Sequence, residues 1–101
     1  MYDFDLSEPK SVHFIGIGGI SMSGLAEILL ERGFKVTGSD RQESELTKSL
    51  EAKGACIRYP QAAENVDPST DIFVYTAAIH PDNPEFLAAK ASGKTMMTRA
   101  E

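Results

Sequence analysis

Apolar and polar residues alternate along the chain between two rhythms. Short β-rich runs occur at residues 12–17, 35–38, 55–58, 71–75 and 94–97. Between them lie stretches with helical periodicity. Met22, Leu25, Ala26 and Leu29 recur at the i, i+3, i+4, i+7 spacing and predict a helix over 21–32, stopped by Gly33. Ser44 is a predicted N-cap for a second helix carrying Leu46 and Leu50 and closed by Gly54. Asn83, Pro84 and Glu85 begin a third helix: a capping side chain, a proline at the first position and an acid in the first turn. Its inward positions are read as Phe86, Leu87 and Ala91, with Gly93 as its stop. The polar stretch 60–68 has room for one short helical turn.

Strands alternating with helices predict parallel βαβ units. Right-handed crossovers then give a Rossmann-like α/β fold of three layers: an open parallel five-stranded sheet, order 3-2-1-4-5, with flanking helices. The connections leaving strands 1 and 4 diverge, so a crevice opens at their carboxyl ends, where such sheets bind ligands.

Three segments meet at that crevice. The turn after strand 1 reads Gly16-Ile17-Gly18-Gly19-Ile20-Ser21. A backbone that must approach a pyrophosphate closely has no room for Cβ atoms, and the following helix end presents N–H groups to anions. A purely structural turn carries similar glycines. The strand before and the helix after are what a phosphate loop requires. The dinucleotide fingerprint G-x-G-x-x-G fails at its last glycine, where Ser21 stands. Ser39 and Asp40 end the second strand, about 20 residues on, where an acid reaches a ribose hydroxyl. Read structurally, Asp40 is a solvated turn residue. Thr76, Ala77 and Ala78 follow strand 4, and their small side chains let a ligand lie against the backbone. His80, beside a proline and without an evident partner, reads as a loop residue; His13 reads as a satisfied strand histidine.

Composition narrows the partners. The 101 residues suit one domain, and 42% hydrophobic with 25% charged residues suits a globular one. A net charge of −5 disfavours nucleic acid and anionic membranes but not one small anion held by backbone amides. The acidic start Met1-Tyr2-Asp3-Phe4-Asp5 has no basic leader, and no apolar run approaches a membrane span, so the expected setting is cytoplasmic. Cys56 is the single cysteine; no disulfide can form within the chain, and its strand position predicts a buried thiol. No G-x-x-x-x-G-K-[ST] loop, no metal-ligand cluster and no Ser-His-Asp arrangement is evident.

The run from His13 to Ala26, with Gly38-Ser39-Asp40 after it, resembles the opening of the Mur ligases of peptidoglycan synthesis. Thr76-Ala77-Ala78-Ile79, Asn83-Pro84-Glu85 and Thr98-Arg99-Ala100-Glu101 are similar to later family segments in the same order. The resemblance implies a three-domain, ATP-dependent enzyme acting on UDP-N-acetylmuramate. Its first domain binds the UDP part, the central domain binds ATP and magnesium, and the C-terminal domain helps bind the amino acid. ATP phosphorylates the muramoyl carboxylate, and an amine attacks the acyl phosphate. Residues 1–101 correspond to the first domain alone, so the chain is expected to have no catalytic residues of its own, to hold no cofactor or metal, and to work with the remaining domains.

The resemblance also assigns residues. The backbone of Gly18, Gly19, Ile20, Ser21 and Met22 holds the diphosphate, Asp40 contacts the uridine, Thr76, Ala77 and Ala78 line the opposite wall, and Gly16 and Ser39 belong to the same UDP site. Pro60-Gln61 stands where many members carry Gly-His, so Gln61 offers an amide but inherits no histidine role. Thr76-Ala77 stands where Ser-Ser is common. The Gly-Gly-Ile-Ser-Met-Ser-Gly run fits the branch that adds alanine; the alternative is the branch that attaches recycled tripeptide to the same nucleotide sugar. An NAD(P)-binding oxidoreductase domain is the alternative of another class.

Overall fold

A computed structural model of the chain describes residues 10–76 and 78–98. The expectations for Ala77, for Arg99, Ala100 and Glu101, and for the acidic N-terminal residues lie outside the described residues. In chain order the elements are β1 (Ser11–Ile15), α1 (Ile20–Glu31), β2 (Lys35–Ser39), α2 (Glu45–Ala52), β3 (Cys56–Arg58), a 3-10 turn (Ala63–Asn65), β4 (Ile72–Tyr75), α3 (Pro84–Ala91) and β5 (Thr95–Thr98). The sheet has the order β3-β2-β1-β4-β5, and every neighbouring pair is parallel, as the βαβ pattern predicts.

Strand alternation sorts the core into two layers. Val12, Phe14, Val36 and Val74 point to the face covered by α1 and α2, where they join Met22, Leu25, Ala26, Leu29 and Leu50. Ile15 and Phe73 point to the other face and pack with Ala89 of α3. The first strand is shorter than its apolar run. The amides of Gly16 and Ile17 both donate to Ser39 O at 2.9 Å, which turns the chain across the end of β2. Gly16 makes that turn at φ +85°, a conformation a side chain strains against. Ile17 belongs to the loop, although its side chain is fully buried.

The predicted caps are present. Ser44 Oγ accepts from Thr47 N, and Thr47 Oγ1 accepts from Ser44 N, closing a capping box at α2. Asn83 Oδ1 accepts from the amides of Glu85 and Phe86 at α3. Two expectations fail. The inward residues of α3 are Glu85 and Ala89, with Phe86 half-buried, while Leu87 is 49% exposed and Ala91 is exposed. Hydrogen-bond donors behind the sheet draw the Glu85 carboxylate in, and that sets the helix's rotation. Cys56 is exposed rather than buried. It lies on an edge strand whose crossover to β4 contains one 3-10 turn instead of a covering helix, so an open groove bounded by Lys35, Thr37, Arg58 and Asp67 runs past it.

Candidate functional site at the carboxyl end of the sheet

The crevice predicted between β1 and β4 is present. One cleft of about 490 Å³ is lined by Gly16, Gly19, Asp40, Arg41, Gln61, Thr76, Ala78, Ile79, His80 and Asn83. A second, of about 570 Å³, is lined by Gly18, Asp40, Arg41, Gln42 and Ser44. The two share Asp40 and Arg41 and so flank the end of β2 on either side.

Asp40 is bound to the glycine turn. Its Oδ2 accepts from Gly18 N at 2.7 Å, and its Oδ1 from Arg41 N at 2.7 Å. A Cβ on Gly18 would lie 2.5 Å from Oδ2, so the glycine is required by the carboxylate itself. Each carboxylate oxygen has two lone pairs, so two acceptor sites of the four remain for a ligand. Beyond Gly18, the Gly19 amide turns back to Gly16 O at 3.3 Å, and the first bond within α1 runs from Ser23 N to Gly19 O at 2.7 Å. The amides of Ile20 and Met22 precede that ladder and carry the positive end of the helix dipole.

The predicted residues divide. Gly16, Gly18, Gly19, Asp40, Gln61, Thr76 and Ala78 border the two clefts. The Ile20 side chain stands out from the helix start at 85% exposure, and Ser21 beside it is half-buried. Met22 offers only its backbone, since its side chain is in the core. Ser39 is fully buried, and its hydroxyl donates to Glu85 rather than facing a cleft. Thr76 Oγ1 accepts from Ala78 N at 3.3 Å, which shapes the loop after β4. His80 is exposed at the cleft edge; its carbonyl accepts from Asn83 N.

A buried network supports the wall opposite Asp40. Glu85 Oε2 accepts from His13 Nε2 and Ser39 Oγ, both at 2.6 Å. Its Oε1 accepts from Ala62 N at 3.0 Å and Asn65 Nδ2 at 2.8 Å. Thr37 Oγ1 lies 2.7 Å from His13 Nδ1, and a hydroxyl there can donate or accept. Burial acts to raise the Glu85 pKa, but the hydrogen bonds from His13, Ser39 and Asn65 outweigh it and hold the carboxyl below its ordinary 4.5. Gln61, next to Ala62, accepts at Oε1 from Asn83 Nδ2 at 2.8 Å. Asn83 thus joins the Gln61 segment to the start of α3.

Sequence reading assigns His13 a satisfied structural role, and its two ring nitrogens are both bonded. It misses Glu85 as the partner, because 72 residues separate the two in the chain. Arg41 and Ile79 are further cleft residues it does not assign, while Asn83, read first as a helix cap, also borders the cleft; Arg41 follows Asp40 directly, and that adjacency is the signal available. Among the described residues no His, Cys, Asp or Glu cluster suits a metal, and no helix is long and apolar enough to cross a membrane.

The family model described as "Mur ligase family, catalytic domain" matches residues 11–101. The chain belongs to the Mur ligase family. The Mur ligase chain is 62% identical over its whole length to a UDP-N-acetylmuramate–L-alanine ligase of Agathobacter rectalis, of which it spans 22%. Among solved structures it superposes on the UDP-N-acetylmuramate-alanine ligase of Thermotoga maritima with a TM-score of 0.84 and 36% identity, over 89% of this chain and 21% of that one. The UDP-N-acetylmuramate:L-alanyl-gamma-D-glutamyl-meso-diaminopimelate ligase of Neisseria meningitides gives 0.81 and 30%, over 90% of this chain and 29% of that one. The chain therefore spans about a fifth of the length of the curated relative and of the Thermotoga ligase.

Proposed function

We propose that this Mur ligase chain binds the UDP part of UDP-N-acetylmuramate, as the N-terminal domain of an ATP-dependent ligase that adds L-alanine in peptidoglycan synthesis. The observation that carries the reading is the place of Asp40. It stands between two clefts at the carboxyl ends of the strands, bonded to the glycine turn and with acceptor capacity left over. In this reading the ribose hydroxyls donate to the remaining lone pairs of Asp40. The diphosphate lies over the first turn of α1, against the amides of Ile20, Ser21 and Met22. Gln61, Thr76 and Ala78 form the wall facing it.

ATP and magnesium belong to the central domain of the parent enzyme. The 101 residues contain no G-x-x-x-x-G-K-[ST] loop, so this chain supplies substrate binding and not phosphoryl transfer. The branch that attaches tripeptide uses the same nucleotide sugar. The 62% identity to an alanine-adding relative favours the first branch.

Calorimetric titration tests the proposal. UDP and UDP-N-acetylmuramate should bind, NADH should not, and ATP should not be turned over. Asp40→Ala should weaken UDP binding by about 1–3 kcal/mol, the scale of a hydrogen bond to a charged group. Tight NADH binding with UDP silent would refute the reading, and unchanged UDP affinity in a folded Asp40→Ala chain would remove Asp40 from the site.

A further inference from the structure

Charge poses a problem at the proposed site. A diphosphate carries more than one negative charge, and the Asp40 carboxylate beside it adds another. Asp40 also occupies the Gly18 amide, which removes one donor from the glycine turn. The start of α1 has no side-chain cap, and the chain as a whole is at −5. Among the described residues Arg41 is the one lysine or arginine that lines either cleft, and it lines both.

Its geometry suits a ligand contact. The Arg41 amide donates to Asp40 Oδ1 at 2.7 Å, which fixes the root of the side chain beside the carboxylate. The guanidinium itself is exposed and makes no ion pair or side-chain hydrogen bond with any of the described residues. A planar guanidinium binds two phosphate oxygens at once through a rigid fork that carries a full positive charge, which neither a helix end nor an amide side chain has.

Resting on the UDP reading above, we propose that Arg41 is the residue that reads the diphosphate. Its guanidinium folds over the shared mouth of the two clefts and pairs with the phosphate oxygens, offsetting the repulsion from Asp40. Arg41 then sets the preference for a nucleoside diphosphate over the monophosphate or the free nucleoside.

The test is a calorimetric series of UDP, UMP and uridine against the wild-type chain, Arg41→Gln and Arg41→Lys, with circular dichroism melts to verify folding. Arg41→Gln should weaken UDP about five- to tenfold, between the scale of an exposed ion pair and that of a buried charge-assisted hydrogen bond. Uridine should change by about twofold or less, as a lost ion pair to phosphate leaves the nucleoside contacts in place. Arg41→Lys should recover part of the loss, and added salt should shrink the wild-type advantage. If wild type binds UDP and Arg41→Gln binds it equally, the role of Arg41 is overturned while the UDP reading stands. If Arg41→Gln weakens uridine as much as UDP, Arg41 does not read phosphate. A wild-type chain that binds no UDP overturns both.

Discussion

Replacing Glu85 tests whether one buried carboxylate holds the two halves of the crevice together. Glu85 is fully buried and accepts four hydrogen bonds, from β1, β2, the Ala62 amide and the 3-10 turn. Hydrogen bonds to a charged group contribute about 1.5–3 kcal/mol each before the cost of burying the charge. That burial costs several kcal/mol, and removing one partner of a buried pair costs a net ~3–5 kcal/mol. Glu85→Ala is expected to lose about that much, because four donors are left facing a cavity. Glu85→Gln should lose less, about 1–3 kcal/mol, the cost of imperfect pairing. Its amide oxygen can still accept from Ala62 and Asn65. Its amide NH2 then faces Ser39 Oγ, which can rotate to accept, and His13 Nε2, which can accept if the ring proton moves to Nδ1 and Thr37. A domain of this size has about 5–15 kcal/mol in total, so the alanine variant should be near its limit.

Urea unfolding of the three chains, followed by circular dichroism, measures both losses. An alanine variant within about 1 kcal/mol of wild type would refute the reasoning, since no four-donor site vacated of its acceptor is that tolerant. Acid adds a second check. The folded pKa of Glu85 lies below 4.5, so the folded state holds its proton less readily than the unfolded chain. The stability contributed by the carboxylate is complete above the unfolded value and is lost as pH falls through the lower folded value. The gap between wild type and Glu85→Gln should therefore narrow below pH 4.5. Asp67, whose pKa is lowered by hydrogen bonds from the Ser69 amide and hydroxyl, is common to both chains and cancels in the difference.

Gly38→Ala should destabilise by about 1–3 kcal/mol, the cost of an overpacked core. The added Cβ would meet Ile17 Cδ1 at 2.7 Å and Phe14 O at 3.0 Å, and a thermal melt unchanged from wild type would contradict that crowding. Cys56 should react with a thiol reagent in the folded chain as fast as in denaturant, and protection that needs urea to lift would contradict its exposed place on β3.

The fold was legible because its signals are local. The period of α1, the Ser44 and Asn83 caps and the apolar run of β4 each act within a few residues, and right-handed crossovers then leave few strand orders, of which the Rossmann-like one is present. The features that escaped are those decided across the chain. The phase of α3 depends on donors from β1, β2 and the 3-10 turn, so an apolar count over Phe86, Leu87 and Ala91 could not find it. The exposure of Cys56 depends on a crossover that lacks a helix. At the candidate site, spacing located Gly18 and Asp40 at the same crevice. It could not show that the carboxylate sits on the glycine amide, because that contact joins the ends of two strands.

Glu85 and Asp40 are carboxylates near the same end of the sheet, and acceptor counting separates their roles. Glu85 has all four of its acceptor sites engaged by the protein and no exposed surface, so no ligand can reach it. Asp40 has two engaged and borders both clefts. An acid in the first turn of a helix would ordinarily be solvated; here donors within the fold bury Glu85, while Asp40 stays open to the clefts. Loss of Glu85 is then felt in stability, and, on the proposed UDP-binding function, loss of Asp40 is felt in ligand affinity.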